Sequence, residues 1–318
     1  MKGIIFMMGL ILACALLPAG PLVYGQTITT FDVPGAAHTT PASISKFGEV
    51  TGNYEDADGN IHGFIRSADG IITPFDVPTA VHTYPVSINA FGEVAGFYET
   101  VAGQSGFIRD GSGTITIIPG VVPTSINSRG ESTGYVPGSS IQEGFIRDTK
   151  GVLRFFFVPG AIETFPFSIN SLGEITGYAY DGSTNHSFVR NEKGEIEQFD
   201  VPGTTITSAF GINLHGEITG IADSAGFVRD RKGQFTSFYA TATALTLPVS
   251  INSFGDVTGF IGGFGGARGF LREADGMITL IEVSGADDTV PLSINLRGDI
   301  TGYYTESGST HGFIRSAD

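Results

Sequence analysis

Beyond its first 25 residues the chain alternates short apolar runs with polar, glycine-bearing breaks, the rhythm of strands and tight turns rather than of helices. The pattern also repeats. SINAFGEVAGFYE (87–99) recurs as SISKFGEVTGNYE (43–55), SINSRGESTGY (125–135), SINSLGEITGY (168–178), GINLHGEITG (211–220), SINSFGDVTGF (250–260) and SINLRGDITGY (293–303). Each copy is followed by an aromatic strand such as GFIRD (106–110), a glycine turn and an apolar run such as ITPFDVP (72–78). The unit of about 42 residues matches a four-stranded blade. Its strands are a (PVSIN), b (EVAGFYE), c (GFIRD) and d (ITPFDVP). The pattern predicts an all-β fold, a seven-bladed β-propeller of four-stranded antiparallel blades over 26–318, with an open solenoid as the alternative.

The phase of the repeat predicts how the ring closes. ITTFDVP (28–34) is a d strand, and the last unit stops after strand c at HGFIRSAD. The N-terminal strand should therefore complete the seventh blade and remove the edges an open sheet exposes. Between strands a and b, Asn-x-x-Gly predicts a tight turn in which Asn bonds its own backbone and Gly takes positive φ. If the small residues of b and c lie opposite each other, as Gly52 and Gly63, the repeated acid faces the repeated Arg. Glu49 then pairs with Arg66, Glu93 with Arg109 and Glu174 with Arg190, and so on around the ring. Such pairs specify register more than stability, and they assign the seven arginines to structure rather than to an anion site. Phe64, Phe107, Phe145, Phe188, Phe227, Phe270 and Phe313 should pack between blades.

Composition changes the picture in two ways. Residues 1–25, with Lys2 and the apolar run from Ile4 to Leu17, read as a signal peptide for a secreted, extracellular or periplasmic protein. The Ile11-Leu12-Ala13-Cys14 stretch offers a lipoprotein alternative, disfavoured by the bulk of Leu12. Cys14 is the single cysteine, so closure has to replace disulfides. The formal charge of −15, or −16 once Lys2 is removed, argues against nucleic acid and anionic membranes. No later stretch approaches the ~20 apolar residues of a membrane span. The chain is read as a monomer.

The unit SINxxGEVTGYY followed by HGFIR resembles the extracellular HAF repeat family, most closely at Ile61-His62-Gly63-Phe64, Asn185-His186-Ser187-Phe188 and Thr310-His311-Gly312-Phe313. Gly or Ser stands where the family name has Ala, and Arg where the family often carries Trp. The resemblance implies a secreted, propeller-like repeat protein and supplies no reaction. His62, His186 and His311 read as sheet residues.

Candidate chemistry concentrates on the face carrying the d-to-a and b-to-c loops, whose lengths vary. The b-to-c segment shrinks to Ile221–Ala225 in the fifth unit, and the third unit has a shortened d-to-a loop. Just ahead of strand a the units carry His38, His82, Glu163 and Asp288. With closure, Asp288, His38 and His82 come from consecutive blades, an arrangement suited to ligand, metal or acid/base work, or simply to solvating the rim. Asp56 and Asp58, in Asp-Ala-Asp-Gly-Asn, form a faint calcium-loop pattern without the distal bidentate acid, and equally a polar turn. No cofactor is required by the sequence, with calcium or another divalent metal the alternative. No hydrolase elbow, zinc helix or phosphate loop is present. The leading expectation is an extracellular binding or scaffold module for a glycan, peptide or envelope component; a hydrolase or lyase at the channel mouth and a structural surface-layer component are the alternatives.

Overall fold

The computed structural model describes residues 27–317 except 139–141, 243 and 263–265, so the expected signal segment and Cys14 lie outside the described residues. Strand β1 (Ile28–Phe31) precedes the first complete blade, formed by β2 (His38–Ile44), β3 (Val50–Glu55), β4 (Ile61–Arg66) and β5 (Ile72–Phe75). The pattern repeats through β25, and β26 (Asp288–Ile294), β27 (Ile300–Glu306) and β28 (Ser309–Arg315) follow. Seven four-stranded antiparallel sheets result, and β1 pairs with β28 to complete the seventh. The protein is a seven-bladed β-propeller closed by its N-terminal strand. Strands a line the central channel and strands d form the outer rim.

The Ser-Ile-Asn triplet explains why strand a repeats so faithfully. Each serine hydroxyl accepts the isoleucine N–H of the next blade: Ser43 from Ile88 at 3.3 Å, and Ser293 from Ile44 at 3.3 Å across the closure. Each asparagine does two jobs. Asn170 Oδ1 accepts Leu172 N–H and Glu174 N–H within its own turn, while Nδ2 donates to the carbonyl of Asn213 in the next blade at 2.9 Å. Two hydrogen-bonded rings thus run around the channel, and each has one gap. Gly211 leaves Ile251 N–H without a serine, and Ser45 is too short to reach Asn89. Isoleucines of the triplet are buried beneath the rings.

The seven strand-c phenylalanines are fully buried, as expected. Where strand d of the preceding blade carries Phe, the two rings meet edge to face, as with Phe31 and Phe64 at 6.2 Å and Phe156 and Phe188 at 6.1 Å. This contact welds each blade to its neighbour.

The register of b against c differs by one residue from the expected one in every blade. Val50, not Glu49, lies opposite Arg66, and Gly52 lies opposite Phe64. Likewise Val94 faces Arg109 and Ile175 faces Arg190. The reason is that each small residue answers a bulky one. A Cβ on Gly96 would lie 2.8 Å from the Phe107 ring and 2.3 Å from the carbonyl of Tyr84 at the bulge of strand a. A Cβ on Gly63 would strike Phe75 in strand d and Pro85 of the next blade. Because a one-residue slip changes the facing of every side chain, the expected acid–arginine pairs do not form. The acids instead bond the turn asparagines, as Glu93 with Asn89 at 2.6 Å. The arginines stack on strand-d phenylalanines, Arg66 over Phe31 at 5.0 Å and Arg229 over Phe199 at 4.6 Å.

Candidate functional site

At the end carrying the d-to-a and b-to-c loops, His38, His82, Glu163 and Asp288 occupy one equivalent position, the first residue of strand a in blades 1, 2, 4 and 7. Three of them reach backward across a blade junction. His82 Nδ1 accepts Ile61 N–H at 3.1 Å, and His38 Nδ1 accepts Thr310 N–H at 3.1 Å. Asp288 accepts Gly266 N–H and Ala267 N–H, each at 2.7 Å, and the Thr305 hydroxyl at 2.9 Å. Glu163 is one partner of the only isolated bridge among the described residues, a parallel backbone bridge to Gln142 of the preceding blade. The four therefore secure separate junctions, and a ring nitrogen of each histidine is held as an acceptor. Among the described residues no group of three or more His, Cys, Asp or Glu is placed to hold a metal ion.

Asp56 and Asp58 are found in a tight turn with Gly59 at φ 84°. Asp56 Oδ1 accepts Asp58 N–H and Asn60 N–H at 2.9 Å, and Oδ2 accepts from Asn60 Nδ2 and His62 Nε2 at 3.1 Å. These donors, the Asn60 side chain foremost, hold the Asp56 carboxyl well below the usual carboxylate range. Its oxygens are engaged in making the turn.

His62 is not simply a sheet residue. Its Nδ1 reaches Asp76 at 3.0 Å while Nε2 reaches Asp56, so both nitrogens face carboxylates. Burial opposes its protonation, but the bonds and charges of Asp56 and Asp76 outweigh that and raise its pKa. His186 is held the same way by Asp200 at 2.8 Å and Asp181 at 3.4 Å, and its pKa is raised, chiefly by Asp200. His311 pairs with Asp32 across the closure, and Arg268 with Glu282. The sequence carries the signal: a cation in strand c precedes an acid 14 residues later in 62/76, 186/200 and 268/282.

A wall of aromatic side chains joins rings at a repeated strand-b position to rings that the repeat does not share. Phe167 and Phe210 line the channel and meet at 5.3 Å. Tyr178 stacks on Phe167 at 5.4 Å and lies against Phe165 at 5.1 Å, and Tyr135 of blade 3 meets Phe165 at 5.6 Å. In blade 2, Tyr84 stacks on Phe97 at 4.7 Å. All are partly exposed. Carboxylates share the sheet face of these rings, Glu99 two residues from Phe97 and Glu163 two residues from Phe165. Burial, reinforced by Glu99 and Glu55, pushes the Tyr84 phenol up, and burial with Glu163 does the same to Tyr178. The strand-b position is aromatic in five blades, as Phe97, Tyr135, Tyr178, Phe260 and Tyr303, and its strand-a partner is aromatic only as Tyr84 and Phe165; that irregularity on strand a is the signal that finds the paired rings.

Charge is divided along the axis. Lys46, Lys150, Lys193 and Lys232, and every described arginine except Arg268, lie at the turn end of their strands. The loop end is acidic, from Asp32 to Glu306.

No protein-family model and no curated protein sequence matches the chain. Among solved structures, virginiamycin B lyase from Staphylococcus aureus, determined with quinupristin, superposes with a TM-score of 0.64 at 16% identity over 92% of this chain and 100% of that one. The β-propeller domain of the Trilobed protease from Pyrococcus furiosus gives 0.65 at 11% identity, over 91% and 95%. YCF48 bound to D1 peptide gives 0.59 at 11% identity, over 92% and 97%. What is shared is the β-propeller fold. At these identities the likeness says nothing of a shared ligand or reaction. No described helix is long and apolar enough to cross a membrane.

Proposed function

We propose that the protein is a secreted binding or scaffold module that recognises a glycan, peptide or envelope component with its loop end. The observation that carries this reading is the partly exposed aromatic wall of Tyr84, Phe97, Tyr135, Phe165 and Tyr178 beside the channel, at the end where the loops depart from the repeat. Aromatic side chains that are not needed to close a core provide contact area at low entropic cost. The HAF resemblance and the leader at 1–25 support export. Against hydrolysis or lysis at the channel mouth stands the use of His38 and His82 as acceptors for backbone amides, which fixes blades together instead of leaving a free base. A panel of glycans and peptides offered to the mature chain tests the proposal. Binding should be lost in Phe165→Ala/Tyr178→Ala and kept in Lys150→Ala/Lys232→Ala at the turn end. Retention in the first variant and loss in the second would place recognition at the opposite face.

A further inference from the structure

We infer that the ligand of the loop end is a polypeptide segment bearing arginine or lysine side chains. The inference rests on the binding reading above and narrows it to one chemistry. Two independent features of the same wall favour a cation. The faces of aromatic rings carry negative potential and attract a guanidinium or ammonium. Carboxylates share the sheet face of those rings: Glu99 stands two residues along β7 from Phe97, which pairs with Tyr84, and Glu163 stands two residues along its strand from Phe165, which pairs with Tyr178. Both attractions act at half-buried positions, where they are screened less than on an open surface.

The rest of this end does not cancel the field. Arg268 is the one lysine or arginine there among the described residues, and it is spent on Glu282 at 3.4 Å. The molecule itself displays the contact proposed: at the turn end Arg109 and Arg190 lie over Phe75 and Phe156 at 5.1 and 5.2 Å. A peptide with cationic side chains fits better than a neutral sugar chain, because only its charges answer the carboxylates. Tyr84 and Phe97 lie face on face at 17°, which leaves each ring one outer face and its edge for the contact. The paired rings and their carboxylates also recur on blades 2 and 4, a spacing that suits several long side chains along one extended segment.

The test is fluorescence anisotropy of labelled hexa-arginine titrated with the full mature chain, against labelled hexa-glutamate, a neutral hexasaccharide and a chitosan hexamer. Hexa-arginine should bind and weaken as salt rises, and the other probes should not compete. Tyr178→Ala and Glu163→Gln should each lower its affinity at least tenfold. Asp58→Asn removes the same charge from the b-to-c turn of blade 1 and should change affinity less than twofold. Equal losses in Glu163→Gln and Asp58→Asn would reduce the attraction to diffuse charge and overturn the inference. Binding of the neutral or chitosan hexamer in place of hexa-arginine, lost in Tyr178→Ala, would overturn the cationic peptide while leaving the loop end as the binding surface. Binding of none of these probes, with panel ligands found elsewhere on the molecule, would overturn both.

Discussion

The two ends of the propeller solve the same problem differently. At the turn end every junction is joined by the same serine and asparagine bonds, interrupted once in each ring. At the loop end a threonine hydroxyl of strand a accepts a backbone amide in six of the d-to-a connections, as Thr39 from Val33. The remaining bonds there are individual: histidines accept one amide each between blades 7 and 1 and between blades 1 and 2, an aspartate accepts two between blades 6 and 7, and a parallel bridge links blades 3 and 4. Repeated hydrogen bonds fix the diameter and leave no freedom for side chains to serve anything else. Individual ones keep the blades together while allowing neighbouring positions to differ, which is where the aromatic wall and the carboxylates are found. The scaffold is thus carried by what recurs, and the proposed recognition surface by positions that differ.

The comparison is broken most severely by opening the ring. Deleting residues 27–34 removes Phe31 and Val33 from the junction of blades 7 and 1 and bares an edge of β28. Guanidinium unfolding should show a loss above about 3 kcal/mol, and an unchanged midpoint would mean the N-terminal strand does not close the fold. Next comes the asparagine ring. Asn170→Ala strips acceptors from two turn amides and a donor from the Asn213 carbonyl. It should cost about 2–3 kcal/mol in the same assay.

The gap at Gly211 sharpens the contrast in the other direction. A Cβ there meets nothing closer than 3.4 Å, and a serine hydroxyl would supply the acceptor that Ile251 N–H lacks. Gly211→Ser should therefore raise stability by about 0.5–1.5 kcal/mol, and a loss would show that the ring gap serves the channel. The smallest effect is a pH dependence at the loop end. The pKa of His62 is raised by Asp56 and Asp76, so its contribution is full below the unfolded value of about 6.5 and lost as pH rises through the raised folded value. The melting temperature of the wild type should fall slightly over that interval relative to His62→Gln. Parallel profiles would show that the pairs are thermodynamically silent.

How much could be read in advance follows the same division. Strand count, blade count and closure were legible because period and phase depend only on the spacing of apolar and turn residues. Register was misjudged because the small residues of b and c were matched to each other. Their partners are in fact the phenylalanines of the adjoining strands, and that pairing depends on the bulge of strand a and on the next blade. The consequence is visible at Glu174, whose partner is Arg231 at 2.8 Å in the following blade rather than Arg190. His38, His82 and Asp288 were placed correctly on one face, but their bonds to backbone amides of the preceding blade are invisible without the ring's geometry. Half of the aromatic wall belongs to the repeat, at the strand-b position of Phe97, Tyr135 and Tyr178, whereas Tyr84 and Phe165 on strand a are irregular, and their pairing with those rings depends on the register of a against b.

The claim that recognition belongs to the loop end is tested most directly by hydrogen exchange of the mature chain with and without bound hexa-arginine. Exchange should slow at residues 81–84, 97–99 and 163–167 and stay unchanged in the turns at 45–49, 127–131 and 170–174. Slowing confined to those turns, with the loop end unaffected, would contradict the account.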